Sequence, residues 1–152
     1  MTKVREIKII APLAVYLPRK TKKDQRIAVN LNTYRNLHFL VNNQAKKIYG
    51  EMIRDQIKGK VIQTPVSIQY RVYKASKRHL DKGNVICVTQ KYLLDALTEE
   101  GCWTDDNDDF IKTEVMHPTR LDRKNPRCEI LIKTIDRAYG RSINLNEIDD
   151  EE

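Results

Sequence analysis

The chain has 152 residues, of which 32% are charged and 40% hydrophobic, and its formal net charge is +7. That length fits one domain able to build its own core without disulfide staples. No apolar run nears the roughly 18 residues that a membrane span requires, and Lys3, Arg5, Glu6 and Lys8 interrupt any secretory apolar segment, so a cytosolic protein is expected.

Residues 4–10 alternate loosely and predict a strand. Pro12 and Pro18 then mark irregular or edge structure, and residues 19–26 form a basic loop. Residues 27–31 predict a returning strand, with Asn30, Asn32 and Asn42 supplying turn chemistry. Residues 42–57 predict a helix capped by Asn42, with an apolar stripe of Ala45, Ile48, Met52 and Ile53. Strict alternation at Val66, Ile68, Tyr70 and Val72 predicts a strand over 66–75. A second helix is expected near 83–100, with Asp81 as its N-cap and Gly101 as its stop. Its broad buried face is Val85, Ile86, Val88, Tyr92, Leu93, Ala96 and Leu97. Residues 110–116 and 128–135 predict two further strands, joined by a polar loop that contains Pro118 and Pro126. The order β(β)αβαββ is that of a small single α+β domain, a mixed β-sheet packed with two main helices, over residues 1–142. An acidic C-terminal tail, 143–152, follows.

Charge divides unevenly. Residues 1–80 carry 18 Lys/Arg against 4 Asp/Glu, and residues 81–152 carry 10 against 17, balances of +14 and −7 that sum to +7. The basic half suggests a polyanion partner; an uneven but merely solvated surface is the plainer reading. Lys20, Lys22 and Lys23 of the basic loop, with Arg35, Lys77 and Arg78, are the candidate phosphate contacts. Clustered aspartates in the acidic half suggest a hard divalent cation. Other chemistries fit poorly. Cys87, Cys102 and Cys128 are widely spaced without a C-x-x-C pair, which disfavours a zinc knuckle. The five glycines form no phosphate-cradling loop, and no RRM-type aromatic strand occurs.

One constellation could carry chemistry. On a helix of about 100° per residue, Asn84 and Lys91 lie within about 20° of each other, and Asp95 falls on the same stripe. Asp81 opens that helix, and the loop after it holds Asp105, Asp106, Asp108 and Asp109. Each has an ordinary alternative: a cap for Asp81, an i,i+4 surface pair for Lys91 and Asp95, and a solvated turn for the aspartates.

This segment resembles the RusA family of Holliday-junction resolvases, including its phage-encoded relatives. The likeness is carried by Asp81 and Asn84, Lys91, Asp95-Ala96-Leu97, Gly101-Cys102-Trp103 and Asp105-Asp106, and extends more loosely over most of the chain. It implies a small α+β domain that works as a homodimer in the cytoplasm of a bacterial or phage-infected cell. Its activity would be Mg2+-dependent cleavage of four-way DNA junctions, giving 5′-phosphates, with Mn2+ as a substitute metal. By the same resemblance Asp81 and Asp106 bind the metal, and Lys91 offsets charge at the scissile phosphate or helps position the attacking water. The pattern departs in two places. Gly83 stands where the family has a second aspartate, for which Asp95, Asp105 or Asp108 could substitute. Asn84 and Lys91 are also four residues further apart, close to one helical turn. A junction-binding protein with weak or no cleavage is the alternative reading.

Overall fold

A computed structural model describes residues 1–103 and 110–135. Twelve elements follow in chain order. They are β1 (Thr2–Val4), β2 (Glu6–Ala11), β3 (Ala14–Leu17), β4 (Gln25–Ala28), α1 (Leu31–Asn36), α2 (Phe39–Ile57), β5 (Lys60–Ile62), β6 (Val66–Lys74), α3 (Lys82–Glu99), β7 (Ile111–Met116), β8 (Arg120–Leu121) and β9 (Arg127–Thr134). The molecule is an α+β domain built on a mixed sheet, as the sequence predicts. The expected tail, 143–152, lies outside the described residues.

The main sheet has the order β2-β9-β6-β7, and β8 extends the β7 edge along β6. β9 runs antiparallel to both β2 and β6, whereas β6 and β7 are parallel. A parallel pair needs a long crossover, and α3 supplies it. Register lines up three buried rows across β2, β9 and β6: Ile7–Ile132–Ile68, Ile9–Ile130–Tyr70 and Ala11–Cys128–Val72. Alternation of period two brings these residues to one face, where α2 and α3 cover them in a single core.

The first predicted strand is two. β1 pairs in parallel with β5, and the chain breaks at Arg5 before β2 joins β9. The predicted returning strand, 27–31, forms earlier as β4, Gln25–Ala28, paired antiparallel with β3, and Leu31 already opens α1. α2 begins three residues earlier than expected, and its N-cap is His38, whose Nδ1 accepts from the Leu40 amide at 3.2 Å. Asn42 therefore lies inside the helix, where its Oδ1 accepts a 2.6 Å hydrogen bond from the Tyr92 hydroxyl. The buried face of α2 is Ala45, Tyr49, Ile53 and Ile57, an i,i+4 row, while Met52 is 52% exposed. Asn30 caps the unforeseen α1 by accepting from the Thr33 amide. α3 matches its prediction closely: Asp81 caps it, and Gly101 ends it at φ 72°, a left-handed conformation that favours glycine.

Candidate nucleic-acid interface

The sheet register decides which loops share an end of the domain. Ala11 closes β2, Cys128 lies near the start of β9, and Val72 lies near the end of β6; Cys128 pairs with both of the others. The loop from Ala75 to Asp81 leaves β6 at this end. The β3–β4 hairpin starts here too, since only Pro12 and Leu13 separate β3 from Ala11. One end of the sheet thus receives the base of the basic hairpin, the Lys77–Arg78 loop and the first turn of α3.

Asp81 is exposed and already structural. Its Oδ1 accepts from the amides of Gly83 at 3.0 Å and Asn84 at 3.4 Å, as an N-cap carboxylate should. Gly83 makes room for it, because a Cβ there would sit 3.2 Å from that oxygen. Oδ2 makes no hydrogen bond among the described residues, so one lone-pair-rich oxygen stays available to a cation.

Lys91 is exposed, ten residues further along α3, or about 15 Å along the axis at about 1.5 Å per residue. Its Nζ lies 5.7 Å from the centroid of the Tyr34 ring. The anticipated pair with Asp95 is absent among the described residues. Asp95 Oδ2 instead accepts from Lys46 Nζ of α2 at 3.0 Å, and this hydrogen bond holds the Lys46 ammonium above the usual lysine range. Lys91 and Asp95 still line one shallow depression, with Tyr34, Gln90 and Leu94. The structure does not bring Asp81 and Lys91 of one chain together.

The remaining expected residues divide into three sets. Lys20, Lys22 and Lys23 are exposed at the hairpin tip, where Arg19 Nε donates to the Lys23 carbonyl at 2.7 Å. Arg35 is exposed in the last turn of α1; Lys77 and Arg78 are exposed in the loop before α3. Asp105 and Asp106, with Asp108, lie outside the described residues, and so does any approach of Asp106 to Asp81. Among the described residues no group of three or more His, Cys, Asp or Glu side chains could hold a metal ion. Those residues alone do not make a metal site, and Asp81 is the one carboxylate of the expected set that they contain at this end.

Two features escaped the sequence reading. Glu114 of β7 accepts from the Tyr70 hydroxyl at 2.8 Å and from Gln90 Nε2, fastening the edge strand to β6 and α3. Burial first, and then the Glu114 carboxylate, push the Tyr70 hydroxyl far above the usual tyrosine range. Cys102 and Cys128 are buried packing groups: burial pushes Cys102 up to about 11 and Cys128 up to about 12. No helix among the described residues is long and apolar enough to cross a membrane.

No protein-family model matches this chain, and no curated protein matches it.

Proposed function

We propose that the chain is a Mg2+-dependent endodeoxyribonuclease of the RusA-like type, acting as a homodimer on four-way DNA junctions and leaving 5′-phosphates. The observation that carries this reading is the place of Asp81. Its unshared carboxylate oxygen stands at the head of α3, three residues from Arg78, at the sheet end where the basic hairpin also begins. The run of Asp95-Ala96-Leu97, Gly101-Cys102-Trp103 and Asp105-Asp106 supports it further.

In this reading Asp81, Asp105 and Asp106 are the metal ligands. A bound Mg2+ or Mn2+ would polarise a phosphoryl oxygen and lower the pKa of a bound water. The chain's own groups do the rest. Lys77, Arg78 and the hairpin lysines hold backbone phosphates, and Lys91 offsets charge that develops at the scissile phosphate.

The decisive assay offers a synthetic four-way junction and a linear duplex of the same sequence, with and without Mg2+. Metal-dependent cuts in the junction alone are expected. A second reading, junction binding without cleavage, is favoured by the capping role that already occupies Asp81 Oδ1. Tight junction binding with no cuts in Mg2+ or Mn2+ would establish that second reading.

A further inference from the structure

Asp122 clips a second basic loop to the one that carries Lys77 and Arg78. Its backbone N–H donates to the Lys74 carbonyl at 2.9 Å, where β8 pairs with the end of β6. Its Oδ1 accepts from the amides of Lys124 at 3.2 Å and Asn125 at 3.1 Å, and its Oδ2 accepts from Arg127 Nη1 at 2.8 Å. On the other side of the clip, Lys74 Nζ donates to the Arg78 carbonyl at 3.0 Å. The two loops are thus tied together by specific hydrogen bonds.

The cations in these loops fall into two kinds. Arg127 is partly buried, stacks 3.9 Å from the centroid of the Tyr73 ring and also reaches Glu129 at 3.5 Å. Its charge is satisfied within the protein. Arg120, Arg123 and Lys124 are exposed and pair with no carboxylate among the described residues, and the same holds for Lys77 and Arg78. Residues 74–81 and 120–127 together hold seven Lys/Arg (74, 77, 78, 120, 123, 124, 127) against two Asp (81, 122). Like charges crowded on one ledge repel one another, and a polyanion relieves that repulsion. A turn already ordered by Asp122 also loses little entropy on binding.

We propose that the loop from Arg120 to Arg127 is a phosphate-binding ridge, in which Arg123 and Lys124 contact the DNA backbone beside the contacts of Lys77 and Arg78. Asp122 and Arg127 are its positioning residues. The ridge rests on the nuclease reading for the identity of its polyanion, and it adds contacts that the charge balance of the first 80 residues does not point to.

The test uses the full chain and a four-way junction in metal-free buffer, so that binding is read without cleavage. Affinity is followed from about 50 to about 200 mM salt, and each phosphate contact contributes roughly 0.9 to the slope of log affinity against log salt. The double variant Arg123→Ala/Lys124→Ala is expected to lower that slope by about two units. Lys3→Ala/Lys58→Ala, which loses the same charge at the opposite end of the sheet, should leave it nearly unchanged. Equal slopes for the two double variants would overturn the ridge. A wild-type protein that binds the junction without salt dependence would sink the nuclease reading along with it. Asp122→Ala separates position from charge. It removes a negative charge, so charge alone predicts tighter binding, whereas loss of the ordered turn predicts a lower slope. Tighter binding with the slope intact would overturn the positioning role.

Discussion

Asp95 of α3 is bound to Lys46 of α2, at 3.0 Å, and not to Lys91 one turn away on its own helix. This bridge fastens the two main helices on the solvent side of the core. The side chains keep 34% and 46% of their exposure, so the pair is worth only about 0.5 kcal/mol. A double-mutant cycle of Lys46→Ala and Asp95→Ala should return that coupling energy. Lys46 has a raised folded pKa, so its contribution is complete below the unfolded lysine value of about 10.4 and is lost as the pH rises through the folded value. Chemical denaturation at pH 8 and pH 11 should show the larger coupling at the lower pH.

Asp95 pairs with Lys46, so Lys91 makes no ion pair among the described residues, and the proposed function gives it a role at the scissile phosphate. Lys91→Ala should change stability by at most about 1 kcal/mol, the worth of an exposed contact with Tyr34. Single-turnover junction cleavage should fall on the order of 10²–10³-fold while junction affinity stays close to wild type. Lys91→Arg should recover only part of the rate, since the planar guanidinium replaces a compact point charge. Wild-type cleavage by Lys91→Ala would remove Lys91 from the mechanism.

The hairpin tip makes a separate prediction. Lys20, Lys22 and Lys23 are exposed beside a tip closed by Arg19. Neutralising all three should lower the salt slope of junction binding by roughly three units, about one for each phosphate contact. An unchanged slope would mark the tip as a solvated turn.

What was legible in the sequence follows from how local each signal is. β6 and α3 were clear because most of their buried residues repeat at the period of the element, Ser67 and Leu94 being exceptions, and Asp81 and Gly101 bound α3 by local backbone chemistry. β5 and β8 have three and two residues and exist only through pairing with distant β1 and β6, which no local pattern reveals. In α2, Met52 looks more apolar than Tyr49, yet Tyr49 is the buried one because it faces Tyr92 of α3 with ring centroids 5.3 Å apart. Asn42 looked like a cap because its real partner, Tyr92, is 50 residues away. The candidate site was legible in composition, as basic loops and an N-cap aspartate. The sheet register that brings the base of the hairpin, the Lys77–Arg78 loop and the first turn of α3 to one end was not, because it depends on long-range pairing of β2, β6 and β9.

The most direct test of the account is the Asp81→Asn variant in the junction assay. Asparagine caps a helix about as well as aspartate, so stability should stay within a few tenths of a kcal/mol of wild type, and metal-free junction binding should be no weaker, because a negative charge is removed. Removing the anionic oxygen should abolish Mg2+-dependent cleavage, and raising Mg2+ or replacing it with Mn2+ should recover little. Cleavage at the wild-type rate by a folded Asp81→Asn protein would contradict the account, reducing Asp81 to a helix cap.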